Sequence, residues 1–248
     1  MEFYARTDKG RRRKMNQDYV FASDRAVGNF PNLFLLADGM GGHKAGDYAS
    51  RYLVEGLRQY VEKAEPGPLV RVLENGIAAL NGELYQLSLQ HEELSGMGST
   101  LVAAVVDEEG ILNVANIGDS RAYLIRGNTI RQITRDHSYV EEMVEKGYMR
   151  RGSEDYLQSR NIITRAVGVQ QRVHADFFEL ELSEGDFLLL CSDGLSNMAD
   201  NESILNVVQD ASSVQAKVEA LIDLANLNGG RDNIGVILLD PFGKEVQA

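Results

Sequence analysis

Thr100-Leu101-Val102-Ala103-Ala104-Val105-Val106-Asp107-Glu108-Glu109-Gly110-Ile111-Leu112-Asn113-Val114-Ala115-Asn116-Ile117-Gly118-Asp119-Ser120-Arg121-Ala122-Tyr123-Leu124-Ile125-Arg126-Gly127-Asn128-Thr129-Ile130-Arg131-Gln132-Ile133 is the stretch that decides the fold. Apolar, β-rich runs at 100–106, 112–117, 122–125 and 129–133 are separated only by short turn signals. These are Asp107-Glu108-Glu109-Gly110, Gly118-Asp119-Ser120 and Arg126-Gly127-Asn128. A parallel pair needs a crossover of about a dozen residues or more, so links this short favour antiparallel hairpins.

Further strand candidates lie at 19–22, 33–37, 177–182, 187–191 and 234–239. Three helices follow from apolar residues at three- and four-residue steps. The first runs through Ala45, Ala49, Leu53, Leu57 and Val61 and stops before Pro66. The second runs through Leu69, Leu73, Ile77, Leu80, Leu84 and Leu87, and the third through Val214, Val218, Leu221 and Ala225. Each has one apolar and one charged face, so each is expected to cover a sheet. Strands and helices are grouped and not strictly alternated, which favours the α+β class with antiparallel sheets packed together and helices outside. No repeat or linker interrupts residues 1–248, so a single domain is expected. Residues 138–168 stand apart. They open on a short amphipathic pattern at Val140, Met143 and Val144 and become irregular around Gly147, Arg150, Arg151, Gly152 and Arg160. A segment this long between strands reads as a flap or insertion.

Composition removes several functions. The 248 residues carry 25 Lys+Arg and 37 Asp+Glu, a net charge of −12, with one cysteine and four histidines. Cys191 alone closes no intrachain disulfide. The absence of CxxC and HExxH spacing disfavours zinc. The negative charge argues against nucleic acid and against an anionic membrane surface. No apolar run approaches the ~20 residues that span a bilayer. Met1-Glu2-Phe3-Tyr4 is not followed by the apolar core of a signal peptide. The expected compartment is the cytoplasm, and nothing demands more than a monomer.

One pattern carries chemistry: an apolar strand with an aspartate at its mouth. Residues 33–37 lead into Asp38-Gly39, 114–118 into Asp119-Ser120, and 187–192 into Asp193-Gly194. On the entering side, Asp18 precedes Tyr19 and Asp232-Asn233 precedes Ile234. In antiparallel sheets one strand's end lies beside its neighbour's start, so all five can share a rim. Any one Asp-Gly alone is an ordinary turn. Five together repel unless a cation neutralises them. Mg²⁺ and Mn²⁺ prefer such oxygen ligands, and a metal pair activates water against a phosphate ester. Arg13, one of the basic run Arg11-Arg12-Arg13-Lys14, offers a fork for phosphate oxygens; alone, that run is a solvated turn.

Seven motifs stand in order. They are Arg13-Lys14-Met15-Asn16-Gln17-Asp18, Ala37-Asp38-Gly39-Met40-Gly41-Gly42-His43, Gly98-Ser99-Thr100, Asn116-Ile117-Gly118-Asp119-Ser120-Arg121, Asp136-His137-Ser138, Cys191-Ser192-Asp193-Gly194-Leu195 and Gly230-Arg231-Asp232-Asn233-Ile234. Together they resemble the metal-dependent protein phosphatase 2C family in its compact bacterial form. The resemblance implies a four-layer αββα fold, a β-sandwich of two antiparallel sheets flanked by helices on both faces. It implies two Mn²⁺ or Mg²⁺ ions on Asp18, Asp38, Asp193, Asp232 and the Gly39 carbonyl, with Asp38 bridging. Asp119, again with Asp193, matches a third metal site. Arg13 becomes the phosphate clamp, and a metal-bridging hydroxide attacks phosphorus. The implied substrates are phosphoserine and phosphothreonine proteins, and the implied partner is a cognate Ser/Thr kinase.

Eukaryotic members carry a histidine directly after the Asp-Gly pair; Met40 stands there in this chain. His43 is then either the leaving-group acid, as imidazole chemistry allows, or a loop residue. His137 reads as structural, and His91 and His174 have no telling neighbours. Tyr156-Leu157-Gln158 replaces the His-Pro pair common in relatives, so the flap is expected to differ. A P-loop reading of Gly39–Gly46 fails because Gly46 is followed by Asp47 and Tyr48, not Lys-Ser/Thr. The remaining alternative is a catalytically weak phosphatase-like scaffold that binds phosphoproteins.

Overall fold

The computed structural model describes residues 1–42, 44–210 and 212–243. Strands β1 (Glu2–Asp8), β2 (Asp18–Ser23) and β3 (Leu33–Met40) come first. Helices α1 (Ala45–Lys63) and α2 (Leu69–Gln90) follow. Then come β4 (Gly98–Ser99), β5 (Leu101–Val106), β6 (Ile111–Ile117), β7 (Arg121–Arg126) and β8 (Thr129–Gln132). Helices α3 (Tyr139–Glu145) and α4 (Glu154–Ser159) precede β9 (Asp176–Glu181) and β10 (Phe187–Cys191). The chain closes with α5 (Asp193–Ser196), α6 (Asn201–Gln209), α7 (Val214–Leu227) and β11 (Ile234–Asp240).

The strands form two antiparallel sheets. One has the order β1-β11-β10-β7-β8; the other has β2-β3-β5-β6-β9, with β4 paired to β3. Strand alternation sends Phe34, Leu36, Val102, Ala104, Val114, Leu188, Leu190, Ile237 and Leu239 into the seam between the sheets. The opposite-facing residues Leu33, Leu35, Ala103 and Val105 pack under α1 and α2. Leu189, Val236 and Leu238 pack under α6 and α7. The architecture is therefore helices, sheet, sheet, helices, as expected from the residues.

Local chemistry explains the helix ends. Ser213 accepts from the Ala216 N–H at 3.3 Å and starts α7, and Asp200 accepts from Ser203 at 2.8 Å and starts α6. Lys217 is buried and donates to the Val208 carbonyl at 2.6 Å and to the Asp210 carbonyl, holding the end of α6.

Some expectations need correction. The Gly118-Asp119-Ser120 turn is not a hairpin, because β6 and β7 belong to different sheets. The backbone there is satisfied by side chains instead of a ladder. Gly118 N–H donates to His137 Nδ1 at 3.0 Å, and Asn116 Nδ2 donates to the Arg135 carbonyl at 3.0 Å. The irregular part of the flap contains α4, started by Ser153, which accepts from Tyr156 N–H at 3.3 Å. The unanticipated β1 is an edge strand paired along Glu2–Asp8 with β11. Its Glu2, Arg6 and Asp8 share one face, but Tyr4 stands among them and only Phe3 and Ala5 mark the apolar face, so the alternation is weak.

Candidate metal centre and phosphate cleft

The site forms where the two sheets end together. In one sheet, the β2–β3 register sets Asp18 opposite Asp38. In the other, Asp193 follows β10 and Asp232 precedes β11. The two halves touch directly: Ser192 Oγ donates to Asp18 Oδ2 at 2.6 Å across the seam, and accepts from Gly235 N–H at 2.8 Å. Arg13, Gln17, Asp38, Gly39, Met40, Thr100, Asp119, Asn161, Ile163, Asp193 and Asp232 line a cavity of about 240 Å³. A smaller one of about 180 Å³ adjoins it through Asp119 and Asp193 and reaches Arg121, Tyr156 and Arg160. A larger groove of about 740 Å³ lies on α1 and α2 around Tyr48, Tyr52 and Tyr60. It gathers none of these aspartates, so volume is a poor guide to chemistry here.

Backbone geometry holds Asp38 in place. Its N–H donates to Thr100 Oγ1 at 2.9 Å, its carbonyl accepts from Thr100 N–H at 2.9 Å, and Ser99 Oγ donates to the same carbonyl at 3.2 Å. Thr100 Oγ1 in turn meets Ser120 Oγ at 2.7 Å, tying Asp38 to the Asp119 turn. Gly39 tolerates no side chain: a Cβ there would stand 1.9 Å from the Gly46 carbonyl oxygen. That close approach packs the end of β3 onto the first turn of α1. Asn233 staples the Arg13 loop to β11, accepting from Gln17 N–H at 2.9 Å and donating to the carbonyls of Lys9 and Met15.

The electrostatics are those of crowded carboxylates. Burial is the first cause that lifts Asp18 to about 7, with Asp193 and Asp232 adding repulsion. Asp119 rises to about 8, from burial and then Asp193, and Asp193 to about 6, from burial and then Asp232. Asp38 is only half-buried by accessible surface but ringed by protein; burial and then Asp18 push it well above the carboxylate range. Arg13 Nη2 donates to Asp232 Oδ2 at 2.7 Å, which raises the pKa of the guanidinium.

Buried carboxylate oxygens Asp18 Oδ1 and Asp193 Oδ1 have no hydrogen-bond partner. Such groups are costly unless something neutralises them. Among the described residues no three acidic, histidine or cysteine side chains are drawn together closely enough to hold an ion by themselves. An all-oxygen set that leaves coordination positions to water fits Mg²⁺ or Mn²⁺, which keep several waters. The residues present therefore fit the metal pair.

The structure brings Arg13, Asp18, Asp38, Gly39, Asp119, Asp193 and Asp232 to one place. His43 lies outside the described residues. Thr100, Ser192 and Asn233 stand within the sequence motifs, but the sequence assigns them no part. Their signal was position: each adjoins a strand-mouth aspartate or its partner strand. His137 holds the Asp119 turn and sits 3.2 Å from Asp176.

The family description Protein phosphatase 2C matches residues 7–227. The serine/threonine phosphatase stp of Listeria welshimeri is 37% identical over 241 residues, covering 95% of this chain and 94% of that protein. Protein phosphatase PhpP of Streptococcus pneumoniae is 38% identical over 243 residues, with 96% and 97% covered. Among solved structures, the catalytic domain of the phosphatase PstP in complex with two manganese ions superposes with a TM-score of 0.83 at 34% identity, covering 96% of this chain and 97% of that one.

Proposed function

We propose, from the premise that the chain belongs to the protein phosphatase 2C family, how its own residues carry out that chemistry. The chain is a metal-dependent protein serine/threonine phosphatase. The observation that carries the reading is the meeting of buried, partnerless carboxylate oxygens from both sheets beside one arginine fork. In this reading Asp18, Asp38, Asp193, Asp232 and the Gly39 carbonyl would hold two divalent ions. When bound, the ions supply the acidity that turns water into a nucleophile near neutral pH and polarise the phosphate.

The remaining work belongs to side chains. Arg13, preoriented by Asp232, takes two oxygens of the phosphoserine or phosphothreonine phosphate. Thr100 and Ser99 hold the Asp38 backbone so that its carboxylate keeps its aim. Asn161 and Ile163, from the end of the flap, border the cavity against water and substrate. His43 serves as leaving-group acid. A third ion between Asp119 and Asp193 is supported by the burial of Asp119 and by the two cavities these residues share. The same reading sets the chain in the cytoplasm as a monomer opposite a Ser/Thr kinase. Its buried, lone Cys191 suits a reducing compartment, and among the described residues no helix is long and apolar enough to cross a membrane.

Hydrolysis of p-nitrophenyl phosphate and of a phosphothreonine peptide, with added Mn²⁺ or Mg²⁺ and with excess EDTA, tests the core reading. Turnover restored by metal is expected; undiminished turnover in EDTA would remove the metal centre. For His43→Ala, a loss confined to poor leaving groups is expected, and equal rates on good and poor leaving groups would end the acid role.

A further inference from the structure

The loop that carries Arg13 has a second peculiarity. Residues 9–14 read Lys9-Gly10-Arg11-Arg12-Arg13-Lys14, five cations and no acid in a chain of net charge −12. An ordinary solvated turn needs no fixed backbone, yet this one is pinned at both ends and at Arg11 and Arg12. Asn233 Nδ2 donates to the carbonyls of Lys9 and Met15, at 2.8 Å each, and closes its two ends. Between them the N–H groups of Arg11 and Arg12 donate to the Gly230 carbonyl at 2.8 and 3.1 Å. Gly230 must stay bare for this seating, because a Cβ would stand 2.9 Å from Arg11 N.

The side chains divide by role. Arg11 Nε donates to the Asn226 carbonyl at 3.0 Å, and Arg13 turns into the cleft to Asp232. Lys9, Arg12 and Lys14 are exposed, as is Arg231 on the segment against which the loop is seated. Among the described residues none of these four forms an ion pair. Unpaired cations are thus displayed from a fixed backbone beside the phosphate clamp. Elsewhere the protein's excess acid repels negative segments, but that field fades beyond about 8–10 Å at physiological salt. Local cations then decide what approaches the cleft, and a pinned loop loses little freedom on docking.

We propose that Lys9, Arg12, Lys14 and Arg231 form a cationic collar that docks acidic side chains flanking the phosphorylated residue, so that the preferred substrates are phosphoserine or phosphothreonine segments rich in Asp and Glu. This rests on the phosphatase reading above and deepens it. The collar acts on docking and leaves the chemical step to the cleft.

The test compares wild type with the Arg12→Ser/Lys14→Ser double variant on three substrates with Mn²⁺. These are an acidic-flanked phosphothreonine peptide, its Asn/Gln-flanked counterpart and p-nitrophenyl phosphate. Wild type should show the lower KM for the acidic peptide at low salt, and 0.5 M NaCl should erase the difference. The variant should raise that KM by about fivefold, the sum of two exposed charge pairs, with kcat and the other two substrates unmoved. Equal wild-type KM values for both peptides, or an equal loss on both in the variant, would overturn the collar. If p-nitrophenyl phosphate is not hydrolysed at all, the phosphatase reading fails instead. The collar is then judged by peptide titration, where equal affinity for the two peptides overturns it.

Discussion

Asp38 shows what a single carboxylate does in this molecule. It is pushed well above the normal acid range by burial and by Asp18, so its charge is a burden in the metal-free protein. Asp38→Asn keeps the shape and removes that burden. Turnover should vanish, while the metal-free variant should melt a few degrees above metal-free wild type at pH 8 and gain little from Mn²⁺. Thermal scans with and without metal check this; an unchanged metal response would free Asp38 from ligand duty. Arg13→Ala removes a charge-assisted clamp worth about 1.5–3 kcal/mol, so KM for phosphate esters should rise at least about tenfold. An unchanged KM would return Arg13 to the solvent.

At the scale of elements, the junction of β3 with α1 is one of the tightest points near the site. Gly39→Ala puts a methyl onto the Gly46 carbonyl and should cost at least about 1–3 kcal/mol, with metal affinity falling in parallel. Denaturant unfolding measures the first and calorimetric titration with Mn²⁺ the second. The flap has its own fastening: Glu141 accepts from Arg151 Nε at 3.1 Å, and from Tyr156 Oη at 2.9 Å, joining α3, the following loop and α4. Glu141→Leu should speed amide hydrogen exchange across 147–160 by about tenfold, a local loss of about 1–2 kcal/mol. Exchange equal to wild type would show that the flap is held elsewhere. These elements also mark what was legible in the sequence. The long helices and buried strands announced themselves, because Leu53-to-Val61 and Leu101-to-Val106 repeat cleanly. The Glu141 fastening was invisible, since it joins residues ten and fifteen apart through a fold of the flap. The inter-sheet turn at Gly118 was misread because a short link looks the same whether it closes a hairpin or changes sheets. At the site, the aspartates could be read from strand mouths, but Ser192 could not be assigned to Asp18 across 174 residues of chain.

For the whole molecule, the carboxylate cluster sets how stability follows pH. Asp193, Asp18 and Asp119 sit near 6, 7 and 8 in the fold, against 3.8 when free. The folded protein therefore holds more protons than the unfolded chain over that interval, and stability falls as pH rises through it. Metal-free protein should melt lower at pH 8 than at pH 5.5. Saturating Mn²⁺, which binds the charged forms, should flatten or reverse the trend. A metal-free melting temperature that climbs from pH 5.5 to 8 would show that the cluster does not hold the extra protons, because the depressed acids Asp176, Asp186 and Glu141 are ionised in both states over that range and cannot produce the climb.

The seam crossing at Ser192 and Asp18 has a temporal consequence. Ligands come from both sheets, so an ion held there would tie the two sheets together. Bound Mn²⁺ should then slow the parting of the sheets, and amide exchange in the seam strands β2, β3, β10 and β11 should be slower with metal than without. Equal exchange in the two states would show that the sheets part without regard to the site.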